Sequence, residues 1–459
     1  MKGMKSLTAV GTLVLVLTAC DFNILNQDNP SLETLEGSPA PAIVYSTAQG
    51  LMDAWRTGDV AGGEGGWLQD LSCFGREAYY LAPARTILDE FDDALVPSAG
   101  LGWGNTYATI RNINSLLHAV DAVGPSMPND KKEGVRGWAK TIEATLLLRQ
   151  IRIQDEFGIP IDTDRPLDDL APIASKDEVY AYILQRFDEA KTHLQGAGAA
   201  FGFKLSVGFS GFDTPSRFLE VNRALKARAA NDIGDVATTK AALNESFIDA
   251  AADMARGAYH SWSAAAGDAL MPVSDPQGVR YLADTTLLTD AQSRANGDPD
   301  LRVTTKTAPT PAITHTGVTS NLKWRLYADP TSPSPIIKNE ELLLIRAEAN
   351  LDTDAALADI NTVRTESGGL EPIALATWQG MSREERITEL LYNRRYSLVW
   401  EWGHRWVDMR RFGRLDQLKG PRGPGDRVFD KVPFPEDECI TRDYGPAGCQ
   451  TVEGFRTTS

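Results

Sequence analysis

The most informative segment of the chain lies near its C-terminus and reads Leu391-Tyr-Asn-Arg-Arg-Tyr-Ser-Leu-Val-Trp-Glu-Trp-Gly-His-Arg-Trp-Val-Asp-Met-Arg-Arg-Phe-Gly-Arg414. It follows Ser382-Arg-Glu-Glu385, a capping box in which Ser382 caps the helix start and Glu385 lies three residues later. This signal predicts the longest helix of the chain, from residue 383 to about residue 402.

Charged and aromatic residues alternate in this segment, so its charges need partners. Arg394 and Glu401 lie seven positions apart, on one face of the predicted helix, and Arg405 and Asp408 follow in the next turn. An unpaired buried charge is costly. The group is either a ligand site or an internal ion network that holds the last helices together. The helical spacing of core-type residues between the charges favours the internal network.

Most of the remaining chain also has helical periodicity. The apolar residues of 138–157 cover a wide face, which is typical of a helix packed on several sides. Further amphipathic helices are predicted at 178–194, 218–233 and 339–350, followed by one that is capped by Asp352 or Asp354 and runs through Val363. Helices joined by short turns must stack to bury their apolar faces. We therefore predict a mostly α fold of tetratricopeptide-like helix pairs, an α-solenoid core with long irregular insertions.

Residues 261–335 interrupt this pattern because they are dense in Pro, Gly, Thr, Ser and Asp. A connection of this length is usually functional. We predict an irregular insertion here, between an N-terminal helical-repeat region at 42–260 and a C-terminal helical region with a Pro-rich tail at 336–459.

The N-terminus predicts export and lipidation. Lys2 and Lys5 precede a short apolar run, which ends in Leu17-Thr-Ala-Cys20. This order is typical of a signal peptide, and the run is too short to span a bilayer. Small residues followed by Cys resemble a bacterial lipobox; the alternative is an ordinary signal peptide that is cleaved nearby, with Cys20 incidental. We predict a signal peptide at 1–19, a lipid on Cys20, and a polar tether at 20–41 that anchors a soluble body.

Composition excludes some functions and leaves others open. The net charge is −16, from 62 acidic and 46 basic residues, which argues against a nucleic-acid partner. In an oxidising compartment, Cys439 and Cys449 can form a disulfide around a short loop, while Cys73 has no obvious partner. The five histidines show no metal-ligand spacing. No motif predicts catalysis, a metal or a cofactor.

The C-terminal segment resembles a motif of the SusD/RagB family of surface lipoproteins, Glu-Arg-Arg-x-Glu-Leu-x-x-Glu-Gly-x-Arg-x-x-Asp-Leu-x-Arg. The matching residues of this chain are Arg394, Arg395, Leu398, Glu401, Gly403, Arg405, Asp408 and Arg410 or Arg411. Four other segments resemble family motifs in the expected order, at 103–117, 149–160, 340–350 and 432–438. The resemblance therefore spans nearly the whole mature chain.

This resemblance implies a non-enzymatic binding protein, attached by its lipid to the outer membrane and facing the cell surface. Such a protein would cap a TonB-dependent transporter of the SusC type and deliver oligosaccharides or other nutrients to it. Two other classes stay open. One is an exported helical glycoside hydrolase or lyase, which needs two carboxylates across an aromatic cleft. The other is a helical-repeat scaffold that binds only proteins.

A sugar site needs exposed aromatic rings flanked by hydrogen-bonding groups. Two aromatic segments outside the predicted helices, 67–80 and 323–327, supply that mixture. We predict stacking of a sugar on three rings and polar contacts from two further side chains; the five residues are Trp67, Tyr80 and Trp324, with Asp70 and Arg76. The alternative is that each ring anchors its own loop to the helical body. Four other tryptophans are assigned to the core, namely Trp103, Trp138, Trp400 and Trp406.

Overall fold

The computed structural model describes residues 37–60, 66–81, 91, 93–98, 100–166, 168–423 and 425–456. The predicted signal peptide and Cys20 lie outside these residues. The helices of the described part are α1 (Pro41–Asp59), α2 (Trp67–Phe74), α3 (Trp103–Ala122), α4 (Asn129–Gln154), α5 (Lys176–Gly196), α6 (Pro215–Asp232), α7 (Val236–Asn244), α8 (Thr286–Thr289), α9 (Leu301–Lys306), α10 (Asn339–Ala349), α11 (Ala355–Glu366), α12 (Leu375–Gly380), α13 (Arg383–Ser397), α14 (His404–Arg411) and α15 (Glu436–Thr441).

The described strands are short and are outnumbered by the helices. They are β1 (Ala78–Tyr80), β2 (Ile159–Pro160), β3 (Ile173–Ala174), β4 (Gly257–His260), β5 (Tyr281–Ala283), β6 (Thr307–His315), β7 (Val318–Trp324), β8 (Ser334–Lys338), β9 (Arg427–Val428) and β10 (Phe455–Arg456). The prediction of a mostly α fold with helix pairs is confirmed.

The centre of the helical body is α4, which packs against α1, α3, α5 and α6. It is buried on nearly all sides from Gly134 onward, as its wide apolar face predicts. Gly137 lets α5 approach closely, because a Cβ atom there would lie 2.6 Å from Leu194 Cγ. Gln154 ends the helix, and Asp155 follows with a φ of 49°.

The prediction of one long helix to about residue 402 is wrong. The Ser382–Glu385 capping box forms, but α13 ends at Ser397. Trp400, Trp402 and Gly403 all have positive φ angles, of 56°, 48° and 59°. This left-handed backbone turns the chain before α14 begins. Burial of the Trp400 and Trp402 rings, which are 0% and 4% exposed, stabilises a turn that their sequence alone disfavours.

The segment 261–335 is not simply irregular, because it contains β5, β6, β7 and part of β8. The antiparallel sheet β1-β5-β7-β6 joins it to the chain near Tyr79, with Ala78 opposite Ala283 and Leu282 opposite Lys323. Buried and less buried residues alternate along β7, which is the period of a half-buried strand. The segment 261–335 contains so much Pro and Thr that its composition predicts irregular structure, although β7 has the alternating burial of a strand.

Several further predictions are confirmed in the core and at the C-terminus. Trp103, Trp138, Trp400 and Trp406 are all buried. The disulfide between Cys439 and Cys449 is present, with 5.5 Å between the Cα atoms. Cys73 is buried and not part of a disulfide, and burial raises the pKa of its thiol. Within the described ranges, no helix is both long and apolar enough to cross a bilayer.

Candidate ligand-binding site

The predicted stacking rings Trp67 and Trp324 do not face solvent. Their exposed fractions are 1% and 3%. The ring of Trp67 packs edge-on against Trp402 at 5.1 Å, and the ring of Trp324 packs on Trp400 at 4.9 Å. The prediction that these rings stack on a sugar is therefore wrong. The turn between α13 and α14 supplies their partners, a contact between segments that are distant in sequence.

Asp70 and Tyr80 are also placed differently from the prediction. Asp70 belongs to α2 and is 1% exposed, so it offers no polar contact at the surface. Tyr80 is half-buried at the end of β1, and its ring lies 5.0 Å from that of Tyr281. Neither residue lines the cavity described below.

Arg76 lines the cavity that is described in the next paragraph. Its guanidinium also holds neighbouring backbone segments in place. Arg76 has a φ of 56° and lies two residues beyond the end of α2, after Gly75. Its guanidinium donates to three backbone carbonyls, those of Cys73 at 3.2 Å, Lys419 at 3.2 Å and Arg427 at 2.8 Å. The same group lies 4.1 Å from the centre of the Phe91 ring.

A cavity of about 170 Å³ lies where the edge of the sheet meets α14 and the chain after it. We call it the Arg405 pocket. Its buried floor includes Arg76, Tyr79, Asp284 and Val318, and Arg405 is half-buried at its side. The remaining lining residues, at or near its rim, are Thr285, Thr286, Asp290, Thr319, Gln417, Lys419, Gly420 and Pro421.

One side of the Arg405 pocket is rich in carboxylate and hydroxyl oxygens. Asp284 follows β5 and accepts hydrogen bonds from Tyr79 Oη at 2.5 Å and from the backbone N–H of Thr286 at 2.7 Å. Burial, together with the nearby Asp284 charge, raises the pKa of Tyr79 and keeps its phenol protonated. Asp290 pairs with Arg395 of α13, where the N–O distance is 2.9 Å.

The other side of the Arg405 pocket carries positive charge. Arg405 Nε donates to the carbonyl oxygen of Gly75 at 2.8 Å. In the part of the chain that the structure describes, Arg405 forms no salt bridge. Burial and the neighbouring Arg395 lower the pKa of Arg405 to about 9, so it remains charged at neutral pH.

Glu77 and Arg405 influence each other's pKa, but Glu77 does not neutralise the charge of the Arg405 guanidinium. Glu77 is 1% exposed, and its Oε2 atom accepts a hydrogen bond from the Trp400 N–H at 3.3 Å. Burial raises the pKa of Glu77 to about 8, although Arg405 acts in the opposite direction. The carboxyl group is therefore mostly protonated and uncharged at neutral pH.

The predicted internal ion network exists, with different members. Arg394 pairs with Asp408 at 2.6 Å, and Arg411 joins the same carboxylate at 2.9 Å. Glu401 instead pairs with Lys338 of β8 at 2.7 Å. Glu401 does not meet Arg394, because the helix that would align them ends at Ser397. The assignment of Arg405 to this network is also wrong, since its side chain lines the pocket.

Several pocket residues were missed by the sequence prediction. Asp284 and Thr286 belong to an Asp-Thr-Thr run directly after the apolar β5, a polar cluster at a strand end. Lys419 lies before Gly420-Pro421, a turn signal. These signals are weak individually. Only the fold brings the two segments together with Arg405 of α14.

The fold is that of SusD-like proteins. A SusD-like carbohydrate-binding protein from Bacteroides fragilis has a TM-score of 0.64, with 14% identity over 93% of this chain and 96% of that one. A laminarin-binding SusD-like protein has a TM-score of 0.61, with 14% identity over 88% of this chain and 98% of that one. A surface glycan-binding protein from Bacteroides uniformis has a TM-score of 0.64, with 15% identity over 87% of this chain and 97% of that one. No protein-family model and no curated protein sequence matches the chain.

These likenesses confirm the fold that the sequence resemblance implies, since they extend over most of both chains. The described side chains contain no group of three or more His, Cys, Asp or Glu arranged to hold an ion. Tyr79 is the only aromatic residue among the described lining residues of the Arg405 pocket, and it is buried.

Proposed function

We propose that this chain is a non-catalytic glycan-binding lipoprotein of the bacterial outer membrane, and that the Arg405 pocket holds a sugar residue of the glycan. The observation that carries the proposal is the SusD-like fold, shared over most of the chain with proteins described as carbohydrate-binding and laminarin-binding. The pocket adds donors and acceptors that suit sugar hydroxyls.

The pocket chemistry supports binding rather than hydrolysis. A glycosidase needs one carboxyl group as an acid and another as a base or nucleophile. Asp290 is paired with Arg395, and Asp284 accepts bonds from Tyr79 and Thr286. Both carboxylates of the pocket are therefore held in contacts that suit a fixed binding surface.

The proposal includes anchoring and transport. Lipidation at Cys20 would hold the protein at the cell surface, where it would pass oligosaccharides to a TonB-dependent transporter of the SusC type. Replacement of Cys20 by Ala should move the protein from the membrane fraction to the soluble exported fraction. Gentle detergent extraction of the native membrane should recover a large TonB-dependent barrel together with the unaltered protein.

The binding claim is tested by titrating the full chain, purified in detergent, with a panel of oligosaccharides. Thr319 lies exposed at the pocket rim, so Thr319→Trp should block the pocket and weaken binding by about ten-fold or more. The matched control is Thr192→Trp, an exposed position on α5. Binding that is equally strong in both variants contradicts the pocket assignment, and binding of no glycan contradicts the function.

A further inference from the structure

The Arg405 pocket is positive although the protein is acidic. Its lining carries three cations, Arg76, Arg405 and Lys419, against two carboxylates, Asp284 and Asp290. Asp290 is also paired with Arg395, a fourth cation just outside the lining. The chain as a whole has a net charge of −16. A positive cavity on such a surface attracts anionic ligands selectively.

Among the described residues, the cations that line the pocket are not used in ion pairs. Arg405 and Lys419 form no salt bridge with any residue in the described ranges, and the hydrogen bonds of Arg76 go to backbone carbonyls. By contrast, Arg394 and Arg411 of the neighbouring network are both paired with Asp408. An anion could enter the pocket without breaking an existing ion pair.

Glu77, a buried acid whose charge would act on Arg405, leaves the positive charge of the pocket in place. Since Glu77 is mostly protonated at neutral pH, it does not neutralise Arg405, and Arg405 forms no salt bridge with the described residues. A half-buried guanidinium is a strong donor to carboxylate and sulfate oxygens, and its planar group can bond two oxygens at once. Lys419 is exposed at the rim and can add a second, more mobile charge.

The opposite side of the pocket suits a different part of the same ligand. Asp284, Thr286 and Thr319 present carboxylate and hydroxyl oxygens there. These groups can bond the hydroxyls of a sugar ring. They would repel a ligand that carried negative charge on all sides. The two sides of the pocket therefore match a molecule with one anionic group and several hydroxyls.

We propose that the Arg405 pocket selects an acidic sugar, whose carboxylate or sulfate group lies against Arg405 and Lys419 while its hydroxyls face Asp284. This inference rests on the proposed glycan-binding function and names the class of glycan. The shared chemistry is an anionic group on a sugar ring. A uronic acid and a sulfated sugar both supply it.

The test compares pairs of ligands that share a sugar backbone and differ in whether they carry the anionic group. An oligogalacturonide and its fully methyl-esterified form share one backbone, and so do a sulfated galactan oligomer and its desulfated form. Calorimetry on the full chain at neutral pH should show at least one charged oligomer binding about ten-fold or more tightly than its uncharged partner. The preference should shrink as salt is added, because an exposed lysine contributes to it. The charged oligomer that shows this preference identifies the anionic group as a carboxylate or a sulfate.

Two lysine variants separate the pocket from general surface charge. Lys419→Gln should reduce affinity for the charged oligomer several-fold and should reduce affinity for its uncharged partner by a smaller factor. Lys240→Gln on α7 is the matched control, since Lys240 is likewise exposed and forms no salt bridge with the described residues. Lys419 is solvent-exposed, so its replacement should not impair folding.

The possible failures are distinguishable. Equal binding of charged and uncharged partners, or equal effects of the two lysine variants, overturns the acidic-sugar inference and leaves glycan binding standing. Binding of neutral glycans with no binding of either charged oligomer also overturns it. If no glycan of any kind binds, the proposed function fails and the inference fails with it.

Discussion

Arg394 donates from its Nε atom to Oδ2 of Asp408 across 2.6 Å, which joins α13 to α14 over the left-handed turn between them. Both side chains are 3% exposed. Arg411 and Glu348 extend this pair into a buried network, which fixes the angle at which α14 leaves the turn. Because Arg405 belongs to α14, the network also positions the pocket.

Replacing Asp408 by Ala should strongly destabilise the protein. The change leaves two buried guanidinium groups short of a carboxylate, and breaking a buried pair in this way costs about 3–5 kcal/mol. Part of that cost is offset here, because Glu348 still pairs with Arg411. Urea unfolding should show a loss of about 2–4 kcal/mol. Arg165→Ala, which removes two exposed ion pairs, should leave the urea midpoint nearly unchanged.

The Glu77→Gln variant should change how stability depends on pH. The pKa of Glu77 is about 8 in the folded protein, above its ordinary value of 4.5, because the group is buried. The folded state therefore holds a proton that the unfolded state releases. The free energy of unfolding of the wild type should fall as pH rises through this window. The groups that face Glu77 are Arg405, Arg395 and Glu401.

Glutamine cannot ionise, so the variant should lack this decline. Between pH 5 and pH 8 we expect the wild type to lose on the order of 3 kcal/mol more than Glu77→Gln. Glu436→Gln, at an exposed position of α15, controls for the loss of one charge. Chemical denaturation at several pH values provides the comparison, and parallel curves for wild type and Glu77→Gln would rule the account out.

A methyl group at Gly137 should separate α4 from α5. The added Cβ would lie 2.6 Å from Leu194 Cγ and 3.1 Å from the Ala190 carbonyl oxygen, so the helices must move. Overpacking of this kind costs about 1–3 kcal/mol. Gly50→Ala on α1 is the control, because the added Cβ would meet nothing within 4 Å. The better helix propensity of Ala should stabilise the protein by up to about 1 kcal/mol. Opposite shifts in melting temperature are the expected result.

The Cys439–Cys449 disulfide should stabilise the C-terminal segment. It closes a loop with a sequence separation of 10 residues, for which the loss of unfolded-state entropy is worth about 2–3 kcal/mol. A variant with both cysteines replaced by Ser should lose about that much on denaturation under oxidising conditions. Addition of a reductant should destabilise the wild type alone, and an equal response of both proteins would contradict the prediction.

The sequence predicted the helical body well because its signals are local. The capping box at Ser382 and the apolar spacing in α4, α5 and α6 depend on neighbours within a few turns. The disulfide was also predictable, since its two cysteines are close in sequence. The fold was identified from several short motifs in a fixed order, each of which resembles a SusD/RagB motif.

The candidate site was much less predictable. Whether Trp67 and Trp324 are exposed depends on Trp400 and Trp402, which reach them only after a left-handed turn. Amino-acid type does not reveal that turn, because tryptophan is not a residue that favours positive φ. The pocket combines residues from the sheet edge, α14 and the segment after it. No spacing rule connects those segments.

The most direct test of the account is a crystal structure of the protein with an oligosaccharide that it is shown to bind. We expect a sugar residue in the Arg405 pocket, within hydrogen-bond distance of Arg405 and of the Asp284 side. A sugar bound elsewhere would contradict the account, for instance in the larger cavity lined by Arg56 and His260. An empty Arg405 pocket in such a complex would therefore refute the central claim.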